Sequence, residues 1–461
     1  MLVGNTAVLN FMVQPSYSDV PRACVMTQPG NETMRPSATF RVNGYLRLFR
    51  HDHSRSIAVL LMGAALTVAC SPESAVTQED LHVSHDTLPG GALLIRYGSL
   101  PEPVVDLSVD LQIGVMEGEP HEVFGDVRSI EADGNGTIYV LDHQASQVRA
   151  FDSTGHFLRA LTRQGQGPGE LIAANGMVLD STGTLWIQDH GQWQFIAVDS
   201  LGEEVSRVPM HVRSYGYVWD GTIDDRGRLW KSTTHSDEPV TFPPEPGLIE
   251  RRARSYLKWL DPAAGISDSV FVGEVTQRMH VTRTAGGGWL NRSIPFSHRR
   301  LEIVDPGGGF WLAADGSYRV VRLNENGDTS LILEVEVPEE PVTNADRQRF
   351  TEESLERSPD QRRAVEELVE LAPSTKPVIN QLHVDDEGRL WVRRRTNDNA
   401  DSHYDIFARE GQYLGSIRLL FSPVVHFPTR VRDGQLYTLT ADSLGVHTVV
   451  RAALPSLRAV H

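Results

Sequence analysis

Cysteine is almost missing from this chain. Of 461 residues only Cys24 and Cys70 carry a thiol, and none occurs from Ser71 onward. Disulfide staples and cysteine-ligated metal centres are therefore excluded from the body of the protein, which must hold itself together by burial. Long apolar runs are scarce too. The one sustained run, IAVLLMGAALTVA (57–69), has 13 residues, whereas a membrane-spanning helix needs about 20. Positive charge is in short supply. The formal net charge is −17, and the first 70 residues hold six Arg against three acidic residues, so the remainder carries about −20. Affinity for phosphate backbones comes mainly from Lys and Arg, and nucleic acid is not an expected partner. No nucleophile elbow, HExxH, P-loop or dinucleotide fingerprint occurs.

What is present begins with a leader. The 13-residue apolar run follows Arg47, Arg50 and Arg55 and ends in Ala69 directly before Cys70. That length and those flanks suit the apolar region of a signal peptide. The stretch LTVAC resembles a bacterial lipobox, with Cys70 as the residue to be acylated and Thr67 standing where Leu is usual. An ordinary signal peptide with an incidental cysteine is the plainer reading. Residues 1–69 are thus expected to be leader. Residues 1–46 are long and mixed for a signal, which makes Met34 an alternative start. Residues 70–90 read as a flexible polar tether. The expected location is the cell envelope after export, at the outer membrane, through a lipid anchor alone.

The body, 91–461, is built from repeats. An apolar strand, an Asp, a Gly turn and a second strand bearing an aromatic recur six times. The copies are IEADGNGTIYVLD (130–142), MVLDSTGTLWIQD (177–189), TIDDRGRLWKST (222–233), IVDPGGGFWLAAD (303–315), LHVDDEGRLWVRR (382–394) and RVRDGQLYTLT (430–440). Their aromatics are Tyr139, Trp186, Trp230, Trp311, Trp391 and Tyr437. A second pair of alternating runs follows each of the first five, as in QVRAFDSTGHFLRAL (147–161), and signals another hairpin. Each unit therefore reads as four antiparallel strands, a–b–c–d, with a period of 44 to 47 residues between Asp133, Asp180 and Asp224. That is the content of a propeller blade. The sixth copy ends after strand c, so residues 109–116 are expected to supply its fourth strand. The predicted fold is all-β: a six-bladed β-propeller of four-stranded antiparallel blades, closed by an N-terminal strand, with a small helical insertion around 343–372.

The first repeat, YVLDHQASQVRAFDSTGHFLRALTRQGQGPGEL (139–171), resembles an NHL repeat. It is also similar to six-bladed propeller lipoproteins of bacteria in which a GQGPGE stretch (165–170) joins blades. The family's Asn-His-Arg in the b–c loop is replaced here by Ala145-Ser146-Gln147. The resemblance implies a ligand-binding or scaffolding propeller and transfers no catalytic set.

In such blades the a–b and c–d turns lie at one end and the b–c and d–a loops at the other. Every long insertion (234–254, 273–300, 338–378 and 396–403) is of the second kind, and elaborated loops on a rigid frame are where binding usually resides. The helical insertion is expected to lid that end of the channel. Two Asp-His pairs, Asp142-His143 and Asp189-His190, occupy equivalent b–c positions. Imidazole beside carboxylate could bind a divalent metal or move protons; the plainer reading is an Asp capping the strand end. Arg299, Arg300 and Arg394 are basic spots suited to an anionic group or to surface ion pairs. The leading expectation is a non-catalytic, monomeric binding module for a protein, peptide or glycan, with no cofactor. The alternative is a lyase or lactonase with a metal on the channel axis. Against it, the strand-a entries (Arg128, Asn175, Trp219, Arg299, Gln381) repeat no His or Glu.

Overall fold

Five of the six repeats turn on their Asp, and in four of those the same carboxylate also holds the aromatic. In the computed structural model, Asp180 Oδ1 accepts the amides of Thr182 and Thr184 at 2.8 and 2.9 Å, while Oδ2 accepts Trp186 Nε1 at 3.1 Å. Asp133 does the same for Asn135, Thr137 and the Tyr139 hydroxyl. Asp224 and Asp385 hold Trp230 and Trp391 at 2.8 and 2.7 Å. One carboxylate thus closes the tight turn and aims the aromatic six residues on. The turn glycine sits at φ +85° in Gly183 and +77° in Gly388, a conformation side chains with a Cβ resist.

The structure describes residues 82–101, 105–212, 219–237, 245–283, 289–395, 402–424 and 427–455. Six successive sheets, each with an antiparallel a–b–c–d core, and one two-stranded parallel pairing between Arg163–Gln164 and Glu170–Leu171 form the described part, and the protein is predominantly β. Sheet 1 is Val127–Ala132, Ile138–Asp142, Gln147–Phe151 and Phe157–Ala160. Sheet 2 is Ala174–Leu179, Leu185–Asp189, Gln194–Val198 and Glu204–Pro209. Sheets 3 to 6 open with Thr222–Ile223, Leu301–Val304, Ile379–Val384 and Arg430–Arg432. The first strands of sheets 1 and 2, 2 and 3, 4 and 5, and 6 and 1 lie against one another.

Packing repeats with the same period. Tyr139, Trp186, Trp230, Trp311, Trp391 and Tyr437 each belong to a different apolar cluster between consecutive sheets. The last of these joins Tyr437, Leu439 and Val449 of sheet 6 to Ile130, Val140 and Phe151 of sheet 1. All six aromatics are buried. The repeat aromatic is therefore inter-sheet mortar, and each contributes burial worth a few kcal/mol.

The N-terminal segment runs along the outer edges of three sheets. Leu93–Tyr97 pairs in parallel with Thr329–Val335 of sheet 4, and Val105–Leu107 with Tyr413–Leu419 of sheet 5. Leu111–Ile113 pairs antiparallel with His447–Ala453 of sheet 6. Ser84–Thr87, inside the stretch read as a tether, is a strand that hairpins onto Leu93–Tyr97. Four strands per sheet holds for sheets 1, 2 and 6; sheets 3 and 5 have five and sheet 4 has six.

The insertions differ from expectation in an instructive way. Much of 234–254 and 273–300 is not loop. Gly247–Asp261 and Ile266–Arg283 form one long hairpin of 15- and 18-residue strands, and Trp289–Arg292 adds to its edge. The alternation that marks strands c and d simply continues outward. In the helical insertion, α1 is Asn344–Arg357, started by the Thr343–Asp346 capping box. Pro359 opens a short 3₁₀ turn with no side-chain cap from Ser358, and α2 is Arg362–Glu370. These helices dock on the sheet 3 extension: Glu367 meets buried His280 at 3.2 Å and Gln361 accepts from Arg292 at 2.6 Å.

Candidate functional site

Each Asp-His pair has its carboxylate committed to the backbone. Asp142 accepts the amides of Gly125, Asp126 and Gln144 at 3.1 Å, and Arg149 lies 3.3 Å away. Asp189 accepts from Ile172, Ala173, Gly191 and Gln192. Both tie a b–c turn to the loop entering the same sheet. Both histidines reach strand a of sheet 2, His143 from the preceding sheet and His190 from the same sheet. His143 Nδ1 lies 2.7 Å from the Ala174 carbonyl, and His190 Nε2 lies 3.0 Å from Asn175 Nδ2. Asn175 also accepts from Arg128 at 3.2 Å. Burial, with the Lys231 ammonium as a second cause, lowers His190 to about 4, so it is neutral at ordinary pH. Lys231 itself is buried and lowered to about 8 by desolvation. The two pairs are thus drawn into one polar cluster at the insertion-bearing end of sheets 1 to 3.

Two of the three basic positions, Arg300 and Arg394, are engaged in ion pairs. Arg300 bonds Glu302 and the Val272 carbonyl. Arg394 lies 2.9 Å from Asp405, a buried carboxylate that also accepts from Tyr318 at 2.7 Å. Arg299 is exposed. Cys70 lies outside the described residues. Among the described residues no group of three or more His, Cys, Asp or Glu is placed to hold a metal ion. No helix among them is long and apolar enough to cross a membrane.

Two cavities lie at opposite ends of the sheets. The one at the insertion-bearing end has a volume of about 940 Å³ and sits between sheet 4 and the helical insertion. Val335, Val337, Pro338, Pro373 and Pro377 form apolar walls, and Asp315, Glu336 and Glu339 carry charge there. Phe296 lines it at φ +58°, with its ring 6.2 Å from Phe350 of α1. A bulky residue held in the left-handed region costs about 1 to 3 kcal/mol and points to function more often than to stability.

The other cavity, about 460 Å³, opens among the tight a–b turns and is lined by all six sheets. Arg430 of sheet 6 crosses it. Its guanidinium meets Glu131 of sheet 1 at 2.9 Å, Asp220 before sheet 3 at 2.7 Å and the Gly221 carbonyl at 3.1 Å. Burial raises the Glu131 carboxyl and the Arg430 charge opposes that rise. Sequence reasoning assigned nothing to this end. Glu131 and His383 each interrupt an apolar strand directly upstream of the turn Asp, a signal that was there to be read.

Sheet order, inter-sheet clusters and repeat register define the class: the chain is a β-propeller. A family model described as a 6-bladed beta-propeller, DUF5128, matches residues 120–210, which hold sheets 1 and 2. No curated protein matches the sequence. Among solved structures the chain is similar to a Bacteroides fragilis protein named as exported, at 11% identity and TM-score 0.41, covering 79% of this chain and all of that one. A Bacteroides vulgatus member of the DUF4221 family gives 10%, 0.44, 75% and 97%. A Xanthomonas campestris gluconolactonase gives 14%, 0.35, 77% and 98%.

Proposed function

We propose that the protein is an exported, lipid-anchored β-propeller of six blades, its ring closed by Leu111–Ile113, that binds a polypeptide segment at its insertion-bearing end. The observation that carries the binding reading is the 940 Å³ cavity. It is assembled from the d–a insertions and a b–c loop, walled by valine and proline, and lined by a phenylalanine at positive φ. Proline walls are ordered before a ligand arrives, which lowers the entropy cost of binding. The charged rim on an apolar base suits an extended peptide better than a uniformly polar sugar chain. Ring closure is supported by the antiparallel pairing of Leu111–Ile113 with His447–Ala453 and by the cluster joining sheets 6 and 1. Export and anchoring rest on the 57–70 segment.

Site-specific photo-crosslinking tests this in cells. A crosslinker at Glu339, on the rim, should capture a discrete protein or peptide adduct. The same crosslinker at Ala263, in a c–d turn at the other end, should capture none. Adducts from position 263 alone, or a glycan adduct from 339, would overturn the assignment.

A further inference from the structure

The smaller cavity was not anticipated from the repeats, and its chemistry differs from that of the other end. Among the described residues lining it, eight are Asp or Glu and three are Arg, a formal net of −5. Much of that charge is compensated. Arg430 covers Glu131 and Asp220, Arg228 pairs with Asp224 at 2.7 Å, and Arg389 pairs with Asp385 at 2.6 Å and with Glu387 at 3.0 Å. Asp180, Asp225 and Asp386 are left with no cationic partner among the described residues. They come from three different sheets, and Asp225 and Asp386 are exposed at the turn tips of sheets 3 and 5.

A second, independent observation lies within the same cavity. His383 lines it, is only 9% exposed, and its Nε2 has no hydrogen-bond partner. A buried polar atom without a partner costs about 1 to 3 kcal/mol, and a ligand group at this spot would satisfy it. Burial, with Arg430 as a further cause, holds this imidazole at about 4, so it is neutral and can accept a hydrogen bond. Aliphatic side chains such as Val178, Ile223, Ile303 and Leu382 complete the lining. The volume falls in the range of small-molecule sites. It is too large, and too poor in clustered ligands, for a bare ion.

We infer that the a–b end of the channel binds a small organic cation, an alkylammonium or alkylguanidinium, with its charge toward Asp225 and Asp386, its carbon chain on the aliphatic lining and one N–H on His383 Nε2. The source could be a free amine or a basic side chain on a peptide, and both present the same chemistry. Arg430 forms the floor, so the charged group must stay near the mouth.

Calorimetric titration of the purified full chain tests it with the monocation n-butylguanidinium, its neutral analogue n-butylurea and anionic pentanoate. Saturable butylguanidinium binding is expected, with the other two at least tenfold weaker. Butylguanidinium affinity should fall at least fivefold in the Asp225→Asn/Asp386→Asn double variant, whose changes are at exposed turn tips. It should also fall in His383→Leu, with unchanged circular dichroism showing that each variant folds. An acetylated arginine amide that competes with butylguanidinium supports the site and identifies a peptide side chain as a source. Equal binding of butylurea or pentanoate, or a double variant that binds butylguanidinium normally, would overturn the inference.

Discussion

Trp311 and Trp391 occupy the same register in adjacent sheets, both fully buried, yet only one is hydrogen-bonded. Trp391 Nε1 donates to Asp385 at 2.7 Å. Trp311 Nε1 has no partner, because the equivalent carboxylate, Asp305, is taken by Arg409 at 2.8 Å and Arg322 at 3.4 Å. Replacing each by Phe removes the same volume from a similar apolar cluster, so cavity and transfer costs cancel to first order. What remains is the bond. Trp391→Phe loses a charge-assisted hydrogen bond worth about 1.5 to 3 kcal/mol, whereas Trp311→Phe removes a donor that was already unsatisfied. Trp391→Phe should therefore be the more destabilising by about 2 kcal/mol. A body of about 380 residues has an unfolding entropy near 0.8 kcal/mol/K, so the gap in Tm is about 2.5 °C. Thermal unfolding followed by far-ultraviolet circular dichroism avoids reading the tryptophans themselves. Equal Tm losses, or a larger loss at 311, would refute the claim that the turn Asp anchors the aromatic as well as the turn.

Other outcomes follow from the same structure. His383 and His190 are both lowered to about 4 by burial, against 6.5 for a free imidazole. Between pH 6.5 and 4 the unfolded chain binds protons that the folded one refuses, so stability falls with pH by up to roughly 3 kcal/mol per histidine. His383→Asn should flatten that slope relative to the parent in urea titrations; an unchanged slope would show that this imidazole titrates normally. Removing the strands up to Ile113 bares the outer edges of sheets 4, 5 and 6. The shortened chain should aggregate or self-associate on size exclusion, and a well-behaved monomer would show that these strands are dispensable. Cys70→Ser should move the protein from the membrane fraction to the soluble fraction, whereas retention at the membrane would count against acylation there.

The sequence made the six-fold repeat legible because one short stretch performs three tasks at once. In IEADGNGTIYVLD, Asp133 closes the turn, Gly136 supplies the positive φ and Tyr139 packs between sheets. A residue set that constrained leaves a readable period. The N-terminal strands were only half legible: the pairing of residues around 111 could be deduced from the missing fourth strand, but parallel addition of Leu93–Tyr97 to sheet 4 leaves no period to find. The helices were seen through the Thr343–Asp346 box. Their docking on a hairpin that extends sheet 3 was not, since a long strand and a polar loop with alternating residues look alike.

Both ends of the channel follow from this difference in constraint. At the a–b end five of the six turns are fixed by their own carboxylate, so the position of each of those tips is set to within the geometry of one Asx turn. These turns make a rim whose charge is arranged by local chemistry, and a cavity there is preformed. At the other end the loops are free of that requirement, and long segments accumulate where they do not disturb the sheets. Binding a small, charged group benefits from the first kind of rigidity. Engaging a longer, variable chain benefits from the second, because insertions can add apolar wall without altering the frame. Arg430 ties the a–b end together: its guanidinium, 14% exposed, links sheet 6 to Glu131 of sheet 1 and to Asp220 and Gly221 before sheet 3. Arg430→Met leaves Glu131 buried without its partner, at a cost of about 3 to 5 kcal/mol, and Glu131→Gln in the same chain should restore much of it. If the double variant is no more stable than the single, the cost lies in lost packing around Arg430 and not in a stranded Glu131 charge.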